Sequence, residues 1–132
     1  MSHSILIADD HAASLQALEL LFRMHRYEVH AARDGKEAIE IARCVAFDVA
    51  VIDLAMPGRD GYEVARAIRD LPDGHDRRLI AVTALPRDEH AARSLESGFD
   101  RFFIKPVNFA QLQREAAKGR RRPIPTDEAP AG

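Results

Sequence analysis

Residues 49–61 read Val49-Ala50-Val51-Ile52-Asp53-Leu54-Ala55-Met56-Pro57-Gly58-Arg59-Asp60-Gly61. The first four are apolar, rich in β-branched side chains, and run without a polar break into an aspartate. Such a run lacks the alternation of a half-exposed strand and reads as a parallel strand buried on both faces. Three further runs repeat the pattern: Ser4 to Ala8 leads to Asp9 and Asp10, Leu79 to Val82 leads to Thr83, and Phe102 to Ile104 leads to Lys105. Parallel strands of an open α/β sheet share one direction, so their carboxyl ends gather at one edge, where ligands bind at the topological switch point. Three carboxylates, a hydroxyl and an ammonium are thereby expected in one pocket.

Between these runs lie segments with helical spacing. Leu15, Leu18 and Phe22 form one stripe, Ala38, Ile41, Ala42 and Val45 a second, and Val64, Ala67, Ile68 and Leu71 a third; Ala91, Ala92 and Leu95 form a fourth and Phe109, Leu112 and Ala116 a fifth. Asp34 with Glu37, Asp60 with Glu63 and Asn108 with Gln111 have capping-box spacing, in which the cap oxygen takes an orphan backbone N–H. Pro72 and Gly98 mark the ends of the third and fourth helices. Glu28 to Ala31 is short and half polar, and is assigned as an edge strand because a βα alternation needs a strand there. The expected class is α/β, with five βα units.

Composition narrows the function. The 132 residues suit one domain, and 19 basic against 21 acidic side chains leave a net charge of -2, with no global field for nucleic acid. The lone Cys44 cannot form an internal disulfide, and no apolar stretch approaches the roughly 20 residues of a membrane helix. Met1-Ser2-His3 runs straight into the first strand, so no signal peptide is expected and the cytoplasm is the default compartment. From Gly119 the chain carries Arg120, Arg121, Arg122 and three prolines without apolar periodicity, which reads as a disordered tail over 119–132 behind a domain over 1–118.

The clustered acids define a chemistry. Asp9, Asp10 and Asp53 held together would repel one another unless a cation intervened. Mg²⁺ takes a few carboxylate oxygens plus waters and phosphate oxygens, which suits an acidic cup that accepts a phosphoryl group. With the neighbouring acids occupied by metal, one carboxylate can attack phosphorus and form an acyl phosphate. Asp53, on the central strand, is the candidate nucleophile, while the consecutive Asp9 and Asp10 suit metal holding. Thr83 can donate to one transferred oxygen and Lys105 can neutralise another.

Asp9-Asp10 after the first strand, residues 53–61 after the third, Thr83-Ala84 after the fourth and Lys105-Pro106 after the fifth resemble the receiver domain of bacterial two-component response regulators, over about residues 3–118. The resemblance implies a doubly wound, flavodoxin-like parallel sheet of strand order 2-1-3-4-5. It implies Asp53 as phosphoacceptor, and Mg²⁺ held by Asp10, Asp9, Asp53 and the backbone carbonyl of Ala55. Thr83 is implied as the hydroxyl switch, Phe102 as the swinging aromatic, Lys105 as phosphate partner, and the bond to Pro106 as cis. Phe102 has no hydroxyl, and Ala55 and Leu85, at the variable rim positions, cannot orient a hydrolytic water. The implied function is a single-domain response regulator that catalyses only its own phosphorylation and dephosphorylation. Its phosphate would come from a histidine kinase or histidine phosphotransfer protein. Output would pass to a protein partner, unidentified by sequence, through the face around Thr83, the fourth helix and Phe102. A receiver belonging to a hybrid histidine kinase fits the same residues.

Other readings fit less well. A metal-dependent phosphatase with an Asp nucleophile would need an Asp-x-Asp motif after the first strand and a cap insertion, and a flavin module would need a hydroxyl-rich phosphate loop where Asp9 and Asp10 stand. His11 beside the acids reads as a solvated first-turn residue, since magnesium prefers oxygen. No histidine spacing suits zinc. Cys44 reads as a small packed residue, and Phe99, Phe102 and Phe103 as one aromatic cluster.

Overall fold

The structure, a computed structural model, describes residues 3–56, 60–84 and 97–120. Strands β1 (Ser4–Ala8), β2 (Glu28–Ala32), β3 (Val49–Asp53), β4 (Arg78–Thr83) and β5 (Arg101–Ile104) form one sheet in the order β2-β1-β3-β4-β5. Every pairing is parallel. The described helices are α1 (Ala12–Met24), α2 (Gly35–Cys44), α3 (Gly61–Arg69) and α4 (Phe109–Ala116), and none is long and apolar enough to cross a membrane. The expected strand order and parallel sheet are both observed. Pro57, Gly58, Arg59, Leu85, His90, Arg121, Arg122 and the stripe Ala91, Ala92 and Leu95 lie outside the described residues.

The unbroken apolar runs have the anticipated cause. Alternate residues of each central strand enter separate cores on the two faces. Leu6, Ala8, Ala50, Ile52, Leu79 and Ala81 pack with α2 and α3, while Ile5, Ile7, Val49, Val51, Ile80 and Val82 pack with α1 and α4. All five residues of β3 are buried. Glu28 to Ala32 lies at the sheet edge, where Glu28 is exposed.

Several local expectations are corrected. In α2 the buried residues are Gly35, Ala38, Ile39 and Ala42; Ile41 is only partly buried, and Val45 is the extended C-cap. Ile41 and Val45 still pack against the α2/α3 core as partly buried residues, and Ile39 joins them as a buried one. In α3, Tyr62 and Ala65 join the buried face, and Leu71 lies beyond the helix end. Only Asp60 and Glu63 form a complete capping box. Asp34 accepts from Glu37 N–H, but the Glu37 carboxylate bonds Arg33 N–H, one residue short of the cap.

Cys44 is exposed, because the last turn of α2 points it away from the sheet. The aromatic residues of β5 are split by strand alternation: Phe102 packs with the α2/α3 core and Phe103 with the α1/α4 core. A ring cluster forms instead around Phe22, which meets Tyr27 and Phe109 edge-on at 4.9 and 5.1 Å. The described chain also runs past Lys118: Gly119 accepts from Arg78, and Arg120 pairs with Asp48 at 3.1 Å.

Helix α1 closes without glycine. Arg26 takes φ 68°, Arg26 N–H donates to Arg23 and Tyr27 N–H to Phe22, the two bonds of a Schellman motif. On the opposite flank of the same amino edge of the sheet, Arg69 ties α3 to the approach of β5. Its guanidinium donates to the carbonyls of Gly98, Gly74 and Arg77 and meets the Asp100 carboxylate at 2.9 Å. Asp100 also accepts the Leu79 N–H. Gly98 has φ 104°, and a Cβ there would stand 2.9 Å from Arg69 Cγ.

Replacing Arg69 by Met removes the cation beside the mostly buried Asp100 carboxylate and the donor of three carbonyls, so Arg69→Met is expected to cost about 3 kcal/mol. The exposed neighbour change Asp70→Ala should stay within about 0.5 kcal/mol. Urea unfolding of both variants checks this, and equal losses would show that the Arg69 contacts contribute little.

Candidate functional site

The register places the acids side by side. Ala8 pairs with Ile52, so Asp9 follows β1 next to Asp53 at the end of β3. Thr83 pairs with Ile104, which puts Lys105 one residue beyond. Asp9 is 3% and Asp53 6% exposed, Thr83 is fully buried, and Asp10 and Ala55 are exposed.

One ammonium serves both buried carboxylates: Lys105 Nζ lies 3.2 Å from Asp53 Oδ2 and 3.5 Å from Asp9 Oδ2. The second oxygen of each acid is held by a backbone N–H two residues ahead. His11 N–H donates to Asp9 Oδ1 at 2.9 Å, and Ala55 N–H to Asp53 Oδ1 at 3.0 Å. These repeated Asx-type turns fix both carboxylates with one oxygen toward the lysine. Lys105 is positioned in turn by its own N–H, which donates to Thr83 O at 2.8 Å, and the Lys105–Pro106 bond is cis.

The electrostatics follow from this geometry. Burial pushes the Asp9 carboxyl above its usual range; the His11 N–H and Lys105 pull it down, and the Asp53 charge pushes it up again. Burial disfavours the Lys105 ammonium, but Asp53 and Asp9 outweigh it and raise its pKa above the ordinary lysine value.

Asp9, Asp10 and His11 each bring a ligand atom to within 4.8 Å of the others. The two carboxylates are hard oxygen donors of the kind Mg²⁺ takes. Asp53, on the neighbouring strand, lies outside this 4.8 Å group and is linked to it through Lys105, which it shares with Asp9. Phe102 sits apart: it pairs with Ala81 and packs into the α2/α3 core.

Gly61 is a residue whose role the sequence did not reveal. Its N–H donates to Leu54 O at 3.1 Å, and a Cβ there would fall 2.7 Å from Asp53 O and 2.8 Å from Leu54 Cα. The first residue of α3 is thus pressed onto the backbone that carries Asp53, where only glycine fits. The signal available was its place in the quoted 53–61 stretch.

Comparison with known proteins places this arrangement. The family model for the response regulator receiver domain matches residues 5–117. Response regulator PleD of Caulobacter vibrioides is 35% identical over 112 residues, covering 85% of this chain and 25% of PleD, so the chain spans a quarter of that relative's length. A CheY-like receiver domain protein from Methanospirillum hungatei JF-1 superposes with a TM-score of 0.82 at 28% identity, over 89% of this chain and 93% of that one. The receiver domain of the sensor histidine kinase PA1611 from Pseudomonas aeruginosa PAO1 also gives 0.82 at 28% identity, over 89% and 97%. Its crystal structure holds a magnesium ion coordinated in the active-site cleft.

Lys105→Gln should destabilise the protein at neutral pH by about 1–3 kcal/mol, the ammonium being partly screened by water. The raised Asp9 pKa means that its charge costs stability, a cost relieved as pH falls through the folded value. The raised Lys105 pKa means that its contribution is complete below the unfolded value of 10.5 and lost as pH rises through the folded one. The gap between wild type and variant is therefore widest at intermediate pH and narrows toward both acid and strong base. Denaturant titrations across pH measure it, and a gap independent of pH would contradict the shared-ammonium account.

Proposed function

The chain belongs to the response regulator receiver domain family, and from that premise we propose that it is a phosphorylation-controlled switch whose acceptor is Asp53. The observation carrying this reading is the pair of buried carboxylates, Asp9 and Asp53, oriented by backbone N–H groups toward one lysine. Asp53 Oδ attacks the phosphorus of a phosphohistidine, the P–N bond breaks, and the imidazole leaves with the electron pair and takes up a proton. The product is an acyl phosphate on Asp53. Lys105 then exchanges its contact with the Asp53 carboxylate for a transferred phosphoryl oxygen, and the Thr83 hydroxyl donates to another. A Mg²⁺ held by Asp9, Asp10, Asp53 and the Ala55 carbonyl supplies charge neutralisation for the phosphoryl oxygens when bound.

The donor is a histidine kinase or histidine phosphotransfer protein, and the output is a change in protein–protein contacts at the face around Thr83 and Phe102. Because Thr83 O holds the Lys105 N–H, a shift of Thr83 toward the phosphoryl group is transmitted directly to the end of β5. Its own chemistry is limited to self-phosphorylation and the hydrolysis of its own acyl phosphate. A free-standing regulator and a receiver within a larger signalling protein share this chemistry.

Incubation with acetyl phosphate and Mg²⁺ should add one phosphoryl group to the wild type and none to Asp53→Asn, read by intact mass. Undiminished labelling of the Asn variant would sink the assignment. Asp10→Asn should weaken Mg²⁺ binding about tenfold or more while leaving the melting temperature unchanged or higher, since it also removes like-charge repulsion. Unchanged Mg²⁺ affinity in a calorimetric titration would place the ion elsewhere.

A further inference from the structure

A cavity of about 520 Å³ opens between α1 and α4 and ends on the acidic site. Its walls are apolar, formed by Leu18 and Leu21 of α1, Val51 and Val82 of the sheet, and Val107 and Phe109 at the start of α4. Ser14 and Ala17, small residues on the same face of α1, leave the gap unfilled. Phe109 closes one end, gripped by Phe22 at 5.1 Å and His25 at 5.3 Å. At the other end stand Asp9, Asp53 and Lys105, the charged residues of the lining.

The size falls within the range of small-molecule sites, and the combination of an apolar body with a few convergent polar groups is their usual form. The charge states what head group fits. Two carboxylates face one ammonium within the lining, and the exposed Asp10 adds a third acid beside them, so the polar end carries excess negative charge. Each oxygen of Asp9 and Asp53 has one partner, Lys105 or a backbone N–H, and a carboxylate oxygen can accept more than one hydrogen bond, so an ammonium entering from the cleft finds acceptor capacity beside Lys105.

We propose that the cleft between α1 and α4 binds amphipathic organic cations, with a ring or branched aliphatic body between the helices and an alkylammonium group at Asp9 and Asp53. The ligand's charge occupies the acids that a divalent ion requires, so ligand and Mg²⁺ exclude each other. Binding needs no phosphorylation chemistry; the regulatory consequence, slowed phosphorylation, rests on the Asp53 reading above.

The test uses the full chain and 4-phenylbutylamine as probe, with 4-phenylbutanol, 4-phenylbutyrate and n-butylamine as controls. Amide shifts in an NMR titration should localise to α1 and the start of α4. The three controls should bind at least about tenfold more weakly, two for lack of the positive charge and one for lack of the ring. Saturating Mg²⁺ should raise the apparent Kd of the amine about tenfold or more. Ala17→Phe, filling the cleft from an exposed position of α1, should weaken the amine by a similar factor with Mg²⁺ affinity unchanged. Equal binding of the alcohol and the amine, shifts outside α1 and α4, or indifference to Mg²⁺ would each overturn the proposal in wild-type protein alone. Loss of acetyl phosphate labelling without any amine would instead overturn the phosphoacceptor reading, leaving the binding result to stand.

Discussion

Two carboxylates buried side by side at the end of a sheet are affordable only with a cation between them, and Lys105 is that cation. Much of the surrounding architecture delivers its ammonium. The parallel order puts β1 beside β3, which makes Asp9 and Asp53 neighbours. Strand β5 lies beyond β4, and the Thr83 carbonyl fixes where the chain leaves it. Arg69, by gripping the residues that enter β5, fixes where it starts. Gly61 lets α3 close on the Asp53 backbone from the other side. The result is a site in which one ammonium is divided between two buried carboxylates and the negative charge is left in excess.

The two edges of the sheet are built on different principles. At the amino edge, charges are tied off locally: Arg78 with Glu115, Arg77 with Asp73, and Arg120 with Asp48. Arg77 also lies over the Phe47 ring at 4.3 Å and donates to Ala42 O. Asp73 shows the effect: burial works against its charge, yet Arg77 and Arg120 hold its carboxyl below the usual value. At the carboxyl edge one lysine is divided between two acids, and Asp10 stands exposed beside them. At the amino edge each of these acids has at least one arginine and Asp73 and Glu115 have more, which makes a stable rim; one cation shared by two acids makes a rim that can rearrange around an incoming group.

What the sequence revealed follows from which constraints are local. The strands were readable because burial on both faces leaves no polar alternation, and their terminal residues were readable because a parallel sheet gives them one address. The turn after α1 was not, since Arg26 takes a conformation that glycine usually marks. The buried face of α2 is wider than its stripe suggests, since both isoleucines suit the core: Ile39 is buried in it and Ile41 packs against its rim. Phe102 and Phe103 are adjacent letters on opposite faces, so a cluster read from composition dissolves once they lie in a strand. The contacts of Gly119 and Arg120 are with Arg78 and Asp48, about forty and seventy residues away, which no local pattern signals.

The sheet also acts as a partition. Ile5 and Ile7 face one packed compartment while Leu6 and Ala8 face the other, and β3 divides its residues in the same way. Consecutive positions in a strand therefore belong to different packing problems with few shared neighbours. Side-chain changes within one compartment should couple more strongly than changes in opposite compartments, because neighbours in one packed cluster share contacts. The two compartments are joined by the backbone ladder they share and by the charged residues at its rim.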